Sequence, residues 1–489
     1  MKRRRAALVA ALAALVAVAT TVVLLRVGAS PVERTVALGQ GQYVGVSAVD
    51  ALTGHVYVTV SDPSHNEMRV LDAASARWRT LARVPSGALS LAVPSGAGRV
   101  LLIRPSANGQ ETRVDVLDTV RGATLRTITV PLYPSYFNNV GAVSGGIMAL
   151  ASFGNQNCTG TGTGVPTCTL SGSGVALLDA ATGRLRRALT VPGRAWATAL
   201  DARAAHVLVT SDMAPGLGFS RLVVSVFDAR TGRLLHRAAL PTPNLRAGRM
   251  VVDAATGRAF LLGGVEPAPS QPRRSYLCVL DTRTGATVHA LTWGGGAGDV
   301  AVDERTGRVF VTDTGPARLF QKSVAGGGSM GMFLPVGPGA LHTLDAHTGA
   351  LLQTATLGIA PGAIAVDERR DRVYVTDAGS HDGYGSSNGT PIDIPAPISG
   401  PGGVSVADAA SGHTLRTMAL GTQPSSIALD GRTGRAFIGD MGDGAPRPLP
   451  DSWGWLPVQV RQRLAFLPQH AQASRPVPGG VIVVDTTRL

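Results

Sequence analysis

The residues best suited to chemistry are aspartates that recur at one place in a repeated pattern. Asp62, Asp212, Asp313, Asp377 and Asp440 each end an apolar run that follows a similar run and a turn. Equivalent positions in a repeat arrange carboxylates around a ring, and hard cations such as calcium take several oxygen ligands. Ca2+ or another divalent ion is therefore admitted by the pattern, although nothing in it requires a cofactor. A simpler task suits the same residues, and we favour it: each Asp caps its own loop by accepting backbone N–H bonds. Beyond Asp377, His381 and Asp382 stand together in a Gly-rich loop. An imidazole beside a carboxylate is a candidate base or ligand, and a solvated loop histidine is the plainer reading. Trp453 and Trp455 open an apolar insert that ends near Pro468. Paired aromatics of this kind favour interfaces, and ordinary packing under a long loop accounts for them equally well.

The elements that carry these residues come from two alternating patterns. The first is an apolar strand, a turn and a second strand, as in Val300–Asp313 (VAVDERTGRVFVTD), Ile364–Asp377 (IAVDERRDRVYVTD) and Ile427–Asp440 (IALDGRTGRAFIGD). The second reads apolar-Asp-x-x-Thr-Gly, as in Val175–Val191 (VALLDAATGRLRRALTV) and Val224–Leu240 (VSVFDARTGRLLHRAAL). Alternating apolar residues give period-two strands with a buried face. Asp accepts backbone N–H bonds at the start of the turn, and Gly takes its left-handed position. Two hairpins make a four-stranded unit whose apolar faces need neighbours, and a closed ring of such units also protects the edges.

First-hairpin copies start near residues 46, 89, 142, 196, 249, 298, 362 and 425, which counts eight units. The copy at 142 is the weakest, so seven is the other possible count. The last unit stops after Gly480–Leu489, one strand short. The missing strand is at the other end, where Glu33–Gly39 (ERTVALG) matches Arg416–Gly421 (RTMALG). An all-β propeller of four-stranded blades, closed by its N-terminal strand, is expected over 33–489.

Tyr57-Val58-Thr59, Tyr374-Val375-Thr376 and Val309–Asp313 (VFVTD) give the chain its likeness to known proteins. In these motifs it resembles the YVTN-type repeat β-propeller family, across nearly everything after residue 33. The resemblance implies a propeller, typically of seven blades, and implies no particular activity. Its motif residues are strand and turn residues.

In a four-stranded meander, the turns within the two hairpins share one face. The loops joining the hairpins lie on the other face, with the links between blades. The uniform Asp-x-x-Thr-Gly turns thus fall on one side. The long segments 154–174, 213–221, 265–275, 314–339, 378–403 and 441–479 fall on the opposite side, where function is expected. Cys158 and Cys168 bracket one of these segments, and in an exported chain they are candidates for a disulfide. Cys278 reads as a small buried hydrophobe.

The N-terminus decides location. Residues 1–5 form a basic flank, 6–27 an apolar anchor and 28–32 a linker. The anchor's unbroken apolar run, Ala6 to Leu25, is long enough to span a bilayer, and the basic flank keeps its own side inside. A single-pass tether with the C-terminal domain outside is therefore expected. Cleavage after Ala29 would make the chain a secreted one instead.

The formal charge is +13, mostly from Arg, and aromatic residues are only 4%. That argues against a nucleic-acid platform. No His-Glu-x-x-His site is present. Adjacent cysteines and regular Trp docking repeats, expected of a quinone-cofactor dehydrogenase, are missing as well. The sequence thus points to a monomeric binding or interaction scaffold for an unknown protein or small molecule. A metal-dependent, lactonase-like hydrolase working in the central funnel is the alternative.

Overall fold

The computed structural model describes residues 32–488 except 39–42, 51–52, 62–65, 73–74, 76, 85–89, 95–97, 135–139, 145, 160–166, 213–220, 242–244, 266–272, 325–327, 380–382, 388–389, 395–396, 399, 401, 422 and 441–479. Its organisation follows from where alternate side chains go. In the strand Arg308–Asp313, Val309 and Val311 pack toward the preceding sheet, whereas Phe310 packs toward the following one. The middle strands are thus buried on both faces, one more than simple alternation suggests. Sheets that are sticky on both sides must be stacked on both sides.

The result is an eight-bladed β-propeller of four-stranded antiparallel sheets. Blades 1 to 7 span 43–84, 90–130, 140–189, 195–239, 245–294, 297–356 and 361–421. Blade 8 spans 424–485 and is completed by Val32–Ala37. The weak copy near residue 142 is a complete blade, which settles the count at eight.

First strands adjoin one another around the central channel, and fourth strands form the outer girdle. Each of the eight buried apolar clusters straddles one junction between neighbouring blades. The aromatic of the Tyr-Val-Thr motif has a fixed part in this packing. Tyr57, Phe260, Phe310, Tyr374 and Phe437 all wedge into the next blade around the ring.

Closure is a strand pairing between distant parts of the chain. Val36 lies opposite Val481 and Thr35 opposite Ile482. Glu33 reaches across to Arg435 at 3.0 Å. The junction between blades 8 and 1 is as apolar as the others, with Leu38, Val58, Phe437 and Val483 in one cluster.

The threonine of the motif also has a definite task. First strands of blades 4, 6 and 7 carry a β-bulge, an irregularity that leaves ladder groups unpaired. Thr210, Thr312 and Thr376 repair it through Oγ1, which accepts the N–H of Ala197 (3.0 Å), Asp299 (2.7 Å) and Ala363 (3.0 Å). The Thr312 hydroxyl then donates to the Gly362 carbonyl of blade 7 at 2.8 Å, tying two blades together.

Two expected outcomes follow from this architecture. Thr312→Val keeps the side-chain shape but strands a buried N–H and a carbonyl, so urea unfolding should show a loss of ~1–3 kcal/mol. Deleting residues 32–38 bares the edge of Gly480–Asp485 and one apolar junction. Calorimetry should then show a clearly lower melting temperature, or loss of the single cooperative transition.

Candidate functional site

The two faces of the ring differ as the repeat requires. On the turn face, each Asp ends a strand and holds the turn that follows. Asp345 Oδ1 accepts the N–H groups of His347 (3.1 Å) and Thr348 (2.8 Å), and Asp303 Oδ1 accepts those of Arg305 and Thr306 at 3.0 Å. Such bonds favour the charged carboxylate. The Thr348 N–H holds Asp345 below the usual range, as the Thr231 N–H does for Asp228 and the Ser411 N–H for Asp408. Asp179 is lowered to about 2, first by its bond from Arg186 and then by Thr182.

On the opposite face, the insertions sit between second and third strands. Three of them form two-stranded hairpins, within blades 3, 6 and 7. The hairpins Ala317–Pro335 of blade 6 and Gly383–Ile394 of blade 7 lie against one another. Arg273 of blade 5 stacks over the Phe333 ring at 4.3 Å, which pins the blade 6 hairpin from its other side. Near blade 3, Arg194 lies over both Phe153 (4.8 Å) and Trp196 (5.5 Å), two rings packed edge to face.

The four described aspartates of the sequence set all lie at this loop face, and each is engaged within its own blade. Asp212 accepts the Arg194 backbone N–H at 2.6 Å and its Nε at 2.5 Å. Asp313 accepts from Gly315 N–H at 2.9 Å, with His342 Nε2 3.9 Å away. Asp377 accepts from the Ser405 hydroxyl at 2.6 Å, and Asp440 from Gln423 N–H at 3.0 Å. A glycine 18 or 19 positions earlier makes room in three cases. A Cβ on Gly193, Gly295 or Gly358 would strike the carboxylates of Asp212, Asp313 and Asp377 respectively.

Loop capping thus accounts for these residues individually. Among the described residues, no group of three or more His, Cys, Asp or Glu side chains is placed to hold a metal ion. Asp62, His381, Asp382, Trp453 and Trp455 lie outside the described residues. The backbones of Cys158 and Cys168 face each other directly across the blade 3 hairpin. Directly opposed antiparallel residues have Cα atoms about 4.5–5.5 Å apart, within reach of a disulfide. Cys278 is buried, and burial pushes its thiol up to about 12.

A feature that the sequence reading missed lies on the channel wall. First strands are built from small and apolar residues, six of them ending in Asp, except at Arg246 and Arg249 in blade 5 and Asp299 in blade 6. Arg249 Nη1 donates to Asp299 Oδ1 (2.7 Å) and Oδ2 (2.8 Å). Asp299 also accepts the N–H of Val300 at 2.8 Å and of Ile364, in blade 7, at 3.2 Å. The Arg249 side chain remains 60% exposed while that of Asp299 is 9% exposed. A buried carboxylate that stitches three blades therefore holds a guanidinium at the channel, where it can meet an anionic group. The signal was present in the sequence, as charged residues inside strands whose other copies carry charge only at a terminal Asp.

This geometry defines an eight-bladed propeller with one uniform face, one elaborated face and a small-residue channel between them. No protein-family model matches the chain, and no curated protein matches it. Among solved structures, a europium-containing methanol dehydrogenase is similar over 92% of this chain and 92% of its own, with TM-score 0.51 and 13% identity. A computationally designed protein, Ika8, matches over 82% of this chain and 95% of its own (TM-score 0.48, 14% identity). A quinohemoprotein alcohol dehydrogenase of Pseudomonas putida covers 91% of this chain and 76% of its own (TM-score 0.47, 12% identity). At such identities the likeness is one of fold alone.

Burial raises the Asp377 carboxyl to about 6, despite its bond from Ser405. Because the folded chain holds this proton more tightly than the unfolded one, stability should fall as pH rises from about 4 through about 6. Asp377→Asn should flatten that decline, by up to ~2–3 kcal/mol at neutral pH, as read from urea unfolding at pH 4 and pH 8. The turn aspartates act in the opposite sense, and their contribution should vanish as pH drops below about 4. Asp212→Ala leaves the largely buried Arg194 without its carboxylate and should cost ~3–5 kcal/mol. EDTA should leave the melting temperature of the parent chain unchanged.

Proposed function

We propose that this chain is an exported, membrane-tethered propeller of the YVTN-repeat type that acts as an interaction scaffold through its loop face. The observation that carries this reading is the segregation of variation. The described turns on one side are short and near-uniform, while the insertions, including three hairpins, gather on the other. Rigid scaffolds that elaborate one face in this way use it for recognition. Arg249 supplies a fixed cationic group at the channel for an anionic part of a ligand. The apolar run 6–25 with its basic flank supports a tether. Among the described residues no helix is long and apolar enough to cross a membrane, and this run lies outside them. In an oxidising location, Cys158 and Cys168 would lock the blade 3 hairpin.

Photo-crosslinking in intact cells tests the reading. A crosslinker at Arg318 on the blade 6 hairpin should give discrete adducts with partners or ligands, and one at Ala255, in a turn of blade 5, should give none beyond lipid. Protein or soluble-ligand adducts from the turn position alone would overturn the assignment of the working face. Mass spectrometry of the unreduced chain should show the peptides of Cys158 and Cys168 joined.

A further inference from the structure

The direction of one strand fixes which face of the ring meets the membrane. Val32–Ala37 runs antiparallel to Gly480–Asp485, with Val32 opposite Val484 and Ala37 opposite Gly480. Gly480–Asp485 is the third strand of its blade, and third strands run from the loop face to the turn face. Val32 is therefore at the turn face, and the chain enters the ring from that side. Residues 28–31 separate the apolar segment from Val32, and the five steps from residue 27 to Val32 reach at most about 18 Å when extended. A bilayer holding 6–27 must lie within that distance of Val32.

The chemistry of the turn face is independent of this argument and agrees with it. Every exposed large apolar side chain among the described residues lies in the first two positions of a fourth strand or in the turn before it. Leu125, Leu185, Leu234, Val288, Leu351 and Leu415 place one in each blade from 2 to 7. Exposed leucines scattered singly need no explanation, but their confinement to one rim does. Exposed arginines stand beside them, among them Arg121, Arg184, Arg230 and Arg283. The neighbouring carboxylates of Asp118, Asp179, Asp228 and Asp281 accept backbone N–H groups of their own turns, and those of Asp179 and Asp281 also pair with Arg186 and Arg258. Guanidinium groups beside aliphatic side chains match lipid phosphates at the boundary of the acyl chains.

We propose that the turn face is a lipid-facing surface. Its aliphatic rim settles into the headgroup boundary and its arginines meet lipid phosphates, which leaves the loop face directed away from the membrane. The proposal rests on the tether reading, and the test separates the two. The full chain is placed in nanodiscs of phosphatidylcholine and phosphatidylglycerol that carry a headgroup nitroxide lipid. A fluorophore is attached at Ala181→Cys on the turn face or at Lys322→Cys on the blade 6 hairpin, with the parent chain as labelling background. The expected result is quenching severalfold stronger at 181 than at 322. Adding Leu185→Ser, Leu234→Ser and Val288→Ser to Ala181→Cys should lower its quenching by roughly half. Equal or reversed quenching overturns the orientation and leaves the tether standing, and quenching at 181 that the three serines leave unchanged overturns the contact between rim and lipid. An intact mass showing that the mature chain begins after Ala29 overturns the tether and this proposal together.

Discussion

The structure depends on one constraint: the middle strands of each blade are apolar on both faces, so no blade is complete alone. Val309 and Val311 belong to one junction and Phe310 to the next, and the same division recurs around the ring. An open stack would leave an apolar face bare at each end. Closure removes both ends, and the pairing of Val32–Ala37 with Gly480–Asp485 is the means. The eight clusters are thus a single interlocking system rather than eight separate cores.

Polar groups make this packing possible without orphaned backbone. Bulged first strands leave N–H groups that the ladder cannot use, and the motif threonines take them up. Aspartates do the same for the turns and for the approaches to first strands. The family-like motif is therefore a packing and capping device: an aromatic to fill the next junction, a hydroxyl to mend a bulge and a carboxylate to close a loop. These are packing and capping tasks, and a fold held together in this way can serve unrelated purposes.

The fold was readable in the sequence because repetition multiplies a weak local signal. One VFVTD is ambiguous, but eight copies with matched turns define blades, count and closure, and even the loose copy near residue 142 proved a full blade. The strand-ending aspartates were also found, together with the simpler task that they perform in their own blades. The channel pair Arg249 and Asp299 was not found. It appears once, and a reading built on what recurs passes over what does not. Their partnership joins positions 50 residues apart on neighbouring first strands, a relation set by the ring rather than by local spacing.

The closing pair has a consequence for how the ring is made. Arg435 and Glu33, which meet across the seam, are 402 positions apart. The first strand of the structure must wait without its partner while seven blades assemble, and only then can the last blade take it in. Closure is a long-range event that follows local hairpin formation and carries the entropy of a very large loop. Until that moment the waiting strand and the open apolar junction are an adhesive pair. Two nearby chains could each supply the other's missing strand, so dilution and a fixed origin for the strand would favour rings over exchanged dimers.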